Sequence, residues 1–235
     1  MANQATAYER VPVLDAWDET PALRSIRVSL GALAPSHTAP GQVVKVRAPS
    51  GEAYFALASA PARNGRADLL VKRGGRIADE IAAASVAGSS LSLSAPFGKG
   101  FPVSEADGMD VLLFAAGAGI APIRALVQHL VSRREHYGRV TLFYGQRRGG
   151  DFAYRSEHID WERHGIRVVL CPSGPEDAWQ GVRGRVQEVA RTLAFGGAPP
   201  ADCVAFVCGM SAMVNEVKAT LREAGVAPER VHLNF

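Results

Sequence analysis

The sequence is poor in cysteine and has no long apolar run. Its 235 residues include 3 cysteines, at positions 171, 203 and 208, which are too few and too irregularly spaced for a disulfide framework or an iron–sulfur cluster. No apolar run reaches the roughly eighteen residues that a membrane span needs. The first residues lack a basic stretch followed by an apolar core, so we expect no secretory signal. These absences predict a cytoplasmic protein with no membrane span.

Patterns typical of metal, hydrolase and nucleic-acid sites are also missing. The 6 histidines are scattered without ligand spacing, and no Gly-x-Ser-x-Gly turn occurs. The net charge is only +3, whereas a nucleic-acid-binding protein carries a concentrated basic stripe. The small excess of Lys and Arg lies before residue 105. This excess favours either a small acidic partner at low salt or an ordinary solvated surface.

The first part of the chain has the pattern of an antiparallel barrel. Short apolar or alternating runs are separated by turn residues such as Pro40-Gly41 and Asn64-Gly65. One helix is predicted over residues 77–84, where two isoleucines lie four residues apart. Six strands at this spacing predict a small closed barrel. The predicted strands cover residues 11–14, 23–30, 43–47, 54–57, 69–71 and 91–94.

The period changes after Asp110, where strands begin to alternate with helices. Such alternation predicts a parallel, doubly wound sheet that binds its ligand at the carboxyl ends of the strands. The fold class is therefore predicted as two-domain, with an antiparallel six-stranded β-barrel in residues 1–104 and an α/β parallel-sheet nucleotide-binding domain in residues 105–235. The predicted strands of the second domain are 111–114, 140–144, 166–170 and 204–207, and its helices are 122–133, 186–193 and 212–224.

A glycine-rich turn joins the first strand and helix of the second domain. It reads Gly117-Ala118-Gly119-Ile120-Ala121-Pro122. Glycines let a backbone approach a pyrophosphate closely, and the following helix points free N–H groups at its charge. Proline suits the first helical turn, where its missing donor costs nothing. Taken alone, such a turn is also compatible with ordinary packing glycines.

Several segments in this order resemble the ferredoxin–NADP reductase superfamily. Besides the turn, they are Phe143-Tyr144-Gly145-Gln146-Arg147, Val207-Cys208-Gly209-Met210 and the aromatic terminus Phe235. The resemblance implies that the barrel carries FAD and that the second domain binds NAD(P)H. It places Cys208 and Phe235 at the reacting rings. It implies nicotinamide-cofactor contacts for Gly117, Ala118, Gly119, Pro122, Gly145, Gln146, Arg147, Gly209 and Met210.

The flavin half departs from the pattern of this superfamily. The usual Arg-x-Tyr-Ser segment is here Ala53-Tyr54-Phe55-Ala56, so the arginine and the serine hydroxyl are missing. Lys72, Arg73 and Arg76 are either replacements for that arginine or solvated surface charges. The resemblance still implies flavin contacts, which are Phe55, Ala56, Leu57, Ala58, Ser59, Val71, Lys72, Arg73, Gly75, Arg76, Ile77 and Ala78.

Three further alternatives stay open at the level of sequence. Cys208 is either a buried structural residue or a neighbour of the nicotinamide. Phe235 is either a frayed end or a ring that covers the flavin. The pair Arg147-Arg148 suits the 2′-phosphate of NADPH, but the segment Cys171-Pro172-Ser173-Gly174 lacks the arginine that often completes such a site.

The resemblance implies a flavin-dependent oxidoreductase that passes electrons from NAD(P)H via FAD to a separate acceptor. The expected acceptor is a protein, such as a ferredoxin-like carrier or an oxygenase, or a small molecule. No general acid or base is required, because the cofactor carries the chemistry. The alternative is a non-catalytic nucleotide-binding or electron-transfer subunit of a larger complex.

Overall fold

The first half of the chain forms a closed six-stranded barrel. The computed structural model describes residues 7–175, 179–197 and 202–234. The strands follow the order β4-β3-β6-β1-β2-β5 and pair antiparallel. An isolated antiparallel bridge between Leu57 and Leu69 joins the two edges. The elements are β1 (Tyr8–Thr20), β2 (Leu23–Ser29), β3 (Val43–Ala48), β4 (Gly51–Ala56), β5 (Arg66–Lys72), α1 (Arg76–Ala84) and β6 (Ser90–Ser94).

The barrel interior is built from alternate residues of its strands. Val44 and Val46 on β3, and Ile26 and Val28 on β2, point inward and are fully buried. Because successive side chains of a strand face opposite sides, the intervening residues are left for solvent or for neighbouring segments. Helix α1 closes one end of the barrel with Ile81, which is 1% exposed.

The second half is a five-stranded parallel sheet with helices on both faces. The strand order is β11-β10-β7-β8-β9, and every pair is parallel. One apolar cluster lies on each face of the sheet, as a doubly wound fold requires. The elements are β7 (Asp110–Ala116), α2 (Ile120–Ser132), β8 (Val140–Gln146), α3 (Arg155–Arg163), β9 (Ile166–Pro172), α4 (Val186–Thr192), β10 (Cys203–Cys208), α5 (Ser211–Glu223) and β11 (Val231–Leu233).

The predicted fold class is confirmed. Two elements of the second half, α3 and β11, were missing from the expected series. Strand β1 is much longer than the predicted 11–14, because its register shifts after Val13 and the chain continues to pair with β2. The division into domains at residues 104 and 105 stays a proposal. Phe101, just before that boundary, is 2% exposed and packs edge-on against Phe206 of β10, with ring centroids 5.3 Å apart.

Side chains cross directly between the barrel and the parallel sheet. The backbone N–H of Tyr154 donates to Glu19 at 2.9 Å, and the N–H of Ala60 donates to Gln128 at 2.9 Å. Arg124 of α2 donates to the carbonyl of Ala58 at 2.6 Å. These hydrogen bonds connect the two halves of the chain. Within the described residues, no helix has the length and apolar character of a membrane span.

Two buried histidines make stability depend on pH. His37 and His158 are 7% and 8% exposed. The Nε2 atoms of both have no hydrogen-bond partner within the described part of the chain. Burial lowers the pKa of each to about 4, from the ordinary 6.5. Both rings are therefore neutral in the folded protein at pH values where the unfolded chain binds a proton.

We expect the free energy of unfolding to fall as the pH is lowered from 7 to 5. The unfolded state binds more protons in this window, so stability rises with pH across it. The loss at pH 5 should be about 2 kcal/mol for each histidine. Urea unfolding at both pH values measures it, and the variant His158→Gln should show a smaller loss. An equal loss in the wild type, in His158→Gln and in His37→Gln would contradict this assignment.

Candidate functional site

A cleft of about 1140 Å³ opens between the barrel and the parallel sheet. The barrel contributes Phe55, Ala56 and Lys72 to its walls, and the sheet contributes the ends of β7, β8 and β10. This volume exceeds that of a typical single-ligand pocket. A second pocket of about 300 Å³ lies against α5 and β11 and contains none of the predicted site residues. The large cleft is therefore the candidate site.

The cleft brings together most of the predicted nicotinamide-side residues. Its lining also includes the predicted flavin-side residues Phe55, Ala56 and Lys72. The two sets of residues come from separate halves of the chain and face one space. The nicotinamide-side residues in the lining are Gly117, Ala118, Gly119, Pro122, Gly145, Gln146, Arg147, Cys208, Gly209 and Met210.

The glycine turn after β7 is shaped by two different requirements. Gly117 has a φ of +59° and open space beside it, so the position favours glycine for its backbone conformation. Gly119 has an ordinary φ, but a Cβ there would lie 2.7 Å from the carbonyl carbon of Cys208. The turn therefore packs backbone to backbone against the end of β10. Helix α2 follows at once with no acidic residue in its first turn, which leaves its N-terminus suited to an anion.

Tyr144 contacts the glycine turn through its hydroxyl group. Its hydroxyl donates to the carbonyl of Gly117 at 3.5 Å and accepts from Gln146 at 2.8 Å. Burial raises the pKa of Tyr144 to about 12, so this hydroxyl remains a donor at neutral pH. The side chain of Gln146, expected at the cofactor, is thereby engaged with Tyr144.

Cys208 lies at the carboxyl end of β10 and in the cleft lining. It is 9% exposed, and burial raises the pKa of its thiol to about 12. The thiol is therefore neutral at physiological pH and is not a nucleophile. The geometry agrees with a small neutral contact surface at this point of the cleft.

The cations near the flavin side differ in their availability. Arg73 donates to Asp18 at 2.7 Å and to the carbonyl of Pro21 at 3.1 Å. Arg76 is 83% exposed and lies 3.4 Å from Glu80. Lys72 lines the cleft and has no ion-pair partner among residues 7–175, 179–197 and 202–234. Of these three cations on the flavin side, Lys72 is therefore the one that can meet a ligand in the cleft.

Other predicted flavin-side residues lie away from the cleft. Leu57 and Val71 belong to the barrel core, and Ala58 is buried against the second half. The hydroxyl of Ser59 accepts from the backbone N–H of Asp68 at 3.0 Å. Ile77 and Ala78 pack on the barrel core, and Gly75 is an exposed N-cap with open space around it. Phe235 lies outside the described residues.

The far end of the cleft carries charges of both signs. Arg185 lies 3.0 Å from Glu216, which also accepts from Gln187. Arg147 is exposed, and within the described ranges it has no ion-pair partner. Its carbonyl accepts from the N–H of Gly174 at 2.8 Å. The positive charge of Arg147 is therefore free, whereas that of Arg185 is neutralised.

The sequence patterns missed the buried charges beside the cleft. Arg124 is 4% exposed although it is charged, and it contacts Asp68 and Glu157 at 3.1 and 2.7 Å. The sequence signal for this buried charge was an arginine inside an otherwise apolar helical segment. Among the described residues no group of three metal-ligating side chains occurs.

Comparisons with known proteins agree with this geometry. Residues 113–219 match the family described as Oxidoreductase NAD-binding domain. The chain is 30% identical to sulfhydrogenase 1 subunit gamma of Pyrococcus furiosus, over 97% of this chain and 80% of that one. It is 28% identical to one subunit of a Na⁺-translocating NADH-quinone reductase from Serratia proteamaculans, over 63% of this chain and 37% of that one.

Solved structures share the fold at lower identity. A ferredoxin NADP⁺ reductase from Neisseria gonorrhoeae, solved with bound FAD and NADP, superposes with a TM-score of 0.81 at 18% identity. The match covers 97% of this chain and 98% of that one. The chain belongs to the ferredoxin–NADP reductase superfamily. The class of the protein is that of the NAD(P)H-dependent flavin oxidoreductases.

The residues present fit a flavin nucleotide, with a changed grip on its phosphates. Phe55 and Ala56 offer an apolar wall, and open space surrounds Gly75 at the N-terminus of α1. The N–H of Gly74 is already bonded to Asp79 at 2.9 Å, so that donor is not available to a phosphate. Lys72, which has no ion-pair partner among the described residues, contributes a positive charge to the cleft lining. These groups would hold FAD without the arginine that Ala53 replaces.

Substitution of Gly119 by alanine should impair binding of the nicotinamide nucleotide. The added Cβ would clash with the backbone of Cys208 and separate the turn from the end of β10. We expect at least a tenfold rise in the Kd for NAD⁺ or NADP⁺, measured by calorimetry; a tenfold change corresponds to about 1.4 kcal/mol. The control is Gly75→Ala, where the Cβ meets nothing within 4 Å and φ is −142°. Equal nucleotide affinity in both variants would disprove the role of Gly119.

Proposed function

We propose that this protein binds FAD on the barrel side of the cleft and NAD(P)H on the sheet side, and passes electrons to a separate acceptor. The observation that carries the proposal is the shared cleft. The apolar residues Phe55 and Ala56 face the same space as the turn at Gly117 and the end of β10 at Cys208. One cavity thus offers two nucleotide-binding walls.

In this proposal, the protein positions the two nucleotides and excludes water from the space between them. FAD, when bound, supplies the chemistry of hydride acceptance and of electron release to an acceptor. The turn at Gly117–Gly119 and the N-terminus of α2 would hold the pyrophosphate of NAD(P)H. The neutral thiol of Cys208 would border the nicotinamide without placing a charge there. Phe55 would form the apolar wall behind the flavin.

The acceptor is proposed to be another protein. One relative is named as part of a sulfhydrogenase and another as part of an NADH-quinone reductase. A structural neighbour at 21% identity is a ferredoxin reductase of carbazole 1,9a-dioxygenase. Because these names describe parts of multi-protein electron-transfer systems, a ferredoxin-like carrier, an oxygenase or a partner subunit is the favoured acceptor class over a small molecule.

A second candidate function is that of a non-catalytic nucleotide-binding subunit. It is favoured by Ala53 and Ala56, which take the places of the arginine and the serine of the superfamily pattern. Such a chain would keep the cleft and the nicotinamide-side residues but would not retain a flavin.

Flavin binding and reduction distinguish the two functions. We expect the purified protein to contain FAD, or to bind it on addition, in about a one-to-one ratio because a single site is proposed. Anaerobic addition of NADH or NADPH should then reduce the flavin and bleach its absorbance. Quenching of flavin fluorescence measures binding, and stopped-flow absorbance measures reduction. A colourless protein that does not quench added FAD would favour the non-catalytic role.

Lys72, rather than Arg76, should provide the charge that replaces the missing arginine. Lys72 lines the cleft without an ion pair among the described residues, whereas Arg76 is 83% exposed beside Glu80. Lys72→Met should raise the Kd for FAD about tenfold, or about 1.4 kcal/mol, near the lower end for a charged hydrogen bond. Arg76→Met, a matched loss of one cation, should change it less than twofold. A larger effect of Arg76→Met would contradict the role of Lys72 and assign the phosphate contact to the N-terminus of α1.

A further inference from the structure

One buried guanidinium bridges the barrel and the parallel-sheet half of the chain. The side chain of Arg124 is 5% exposed and belongs to α2, on the sheet side. Its Nη1 donates across to the barrel, to the carbonyl of Ala58 at 2.6 Å and to Asp68 at 3.1 Å. Its Nε and Nη2 donate to Glu157 at 2.9 and 2.7 Å on the sheet side. Arg124 therefore has partners in both halves of the chain.

The charges around Arg124 balance. Asp68, which is 5% exposed, also accepts from Arg27, with Nε–Oδ1 and Nη2–Oδ2 distances of 2.8 and 3.1 Å. Two guanidiniums thus meet two carboxylates, Asp68 and Glu157. Burial alone works against the charged form of Arg124, but the hydrogen bonds that it donates to Glu157 and the neighbouring charges keep its pKa above the usual value. A buried pair of this kind tolerates little displacement, because a separated charge has no solvent to replace its partner.

The partners of Arg124 lie close in sequence to the residues that line the cleft. Ala58 follows Ala56, the last residue of β4, by two residues. Arg124 itself lies in the first turns of the helix that follows Gly119. Gly119 packs against the backbone of Cys208. The barrel is therefore linked to the end of β10 through the bonds of Arg124, the first turn of α2 and the packing of Gly119.

We infer that Arg124 is a positioning residue that sets the distance between the flavin wall and the nicotinamide wall of the cleft. This inference rests on the proposed function. Hydride transfer needs its reacting atoms about 3–3.5 Å apart, and a displacement of about 1 Å lowers the rate as much as about a hundredfold. Arg124 bonds a backbone carbonyl and a carboxylate of the barrel at once, so it opposes both separation and sliding of the two walls. Arg124 itself is not among the residues that line the cleft.

Two variants weaken this link in different ways. Arg124→Lys keeps the charge, but a single ammonium cannot reproduce the fork that reaches Ala58, Asp68 and Glu157 together. Asp68→Asn nearly keeps the volume and removes the charge on the barrel side. The matched control is Arg134→Lys. Arg134 also donates to two backbone carbonyls, of Tyr137 at 2.8 Å and Gly165 at 3.3 Å, but both lie in the second half.

The test compares flavin reduction with nucleotide binding in FAD-loaded proteins. With saturating NADH or NADPH, whichever the wild type oxidises, the bleaching rate should fall about tenfold to a hundredfold in Arg124→Lys. Asp68→Asn should also slow bleaching. The Kd for the oxidised nicotinamide nucleotide and the FAD content should change less than twofold. The control Arg134→Lys should keep the wild-type rate even where its melting temperature falls.

A readout that needs no cofactor completes the test. In hydrogen exchange of the cofactor-free chain, the amides of Ala60 and Tyr154, which bond across the two halves, should exchange faster in Arg124→Lys and Asp68→Asn than in the wild type and Arg134→Lys. Wild-type bleaching rates in the folded variants would overturn the inference and leave the proposed function intact. If Arg124→Lys does not fold, Asp68→Asn decides by the same criterion. A wild type that binds no FAD, or binds it without being bleached, would overturn the proposed function and the inference with it.

Discussion

The buried ion network around Arg124 is the constraint on which the arrangement of the cleft depends. One apolar cluster joins Leu23, Ala58, Leu70 and Phe101 to the core of the second half, but apolar contacts are non-directional and do not by themselves fix how the two halves are oriented. Hydrogen bonds with strict geometry do decide it, since a guanidinium fork accepts few arrangements of its partners. Asp68 and the carbonyl of Ala58 receive that fork on one side, and Glu157 holds it on the other. The bonds from Tyr154 to Glu19 and from Ala60 to Gln128 add two more points of attachment.

The two walls of the cleft differ in how completely they are built. On the sheet side, Gly119 lies directly against the backbone of Cys208, and Tyr144 holds the carbonyl of Gly117, so the nucleotide turn is preorganised by its own protein contacts. On the barrel side, alanines stand at positions 53 and 56, and the proposed phosphate contact is the point charge of Lys72 in the cleft lining. A lysine makes fewer directed bonds to a phosphate than an arginine does. The proposed flavin is therefore held more by the shape of the cleft and less by hydrogen bonds.

The sequence predicted the elements with strong periodicity and missed those without it. The barrel strands and the strands β7 to β10 were recognisable because apolar residues recur with a period of two or form short continuous runs. Helix α3 was missed because its sequence is polar and only His158 and Trp161 are buried; its position follows from packing against β9. Strand β11 has three residues, Val231–Leu233, too few for a pattern. The buried state of Arg124 depends on Asp68 and Glu157, far away in the chain, so no local pattern contains it. Which of Lys72, Arg73 and Arg76 has an ion-pair partner likewise depends on Asp18 and Glu80. Their proximity is seen only in the folded chain.

The titration behaviour of the cleft agrees with a site whose protein groups move no proton. Burial keeps the Cys208 thiol and the Tyr144 hydroxyl protonated well above neutral pH, with pKa values of about 12. A thiolate at the end of β10 would place a negative charge beside the glycine turn, where an anionic pyrophosphate is expected, and repulsion would weaken binding. The same burial leaves Cys208 only 9% exposed. Burial therefore has two effects here: it makes the ion network around Arg124 intolerant of displacement, and it keeps the Cys208 thiol neutral at the wall where the nicotinamide is proposed to bind.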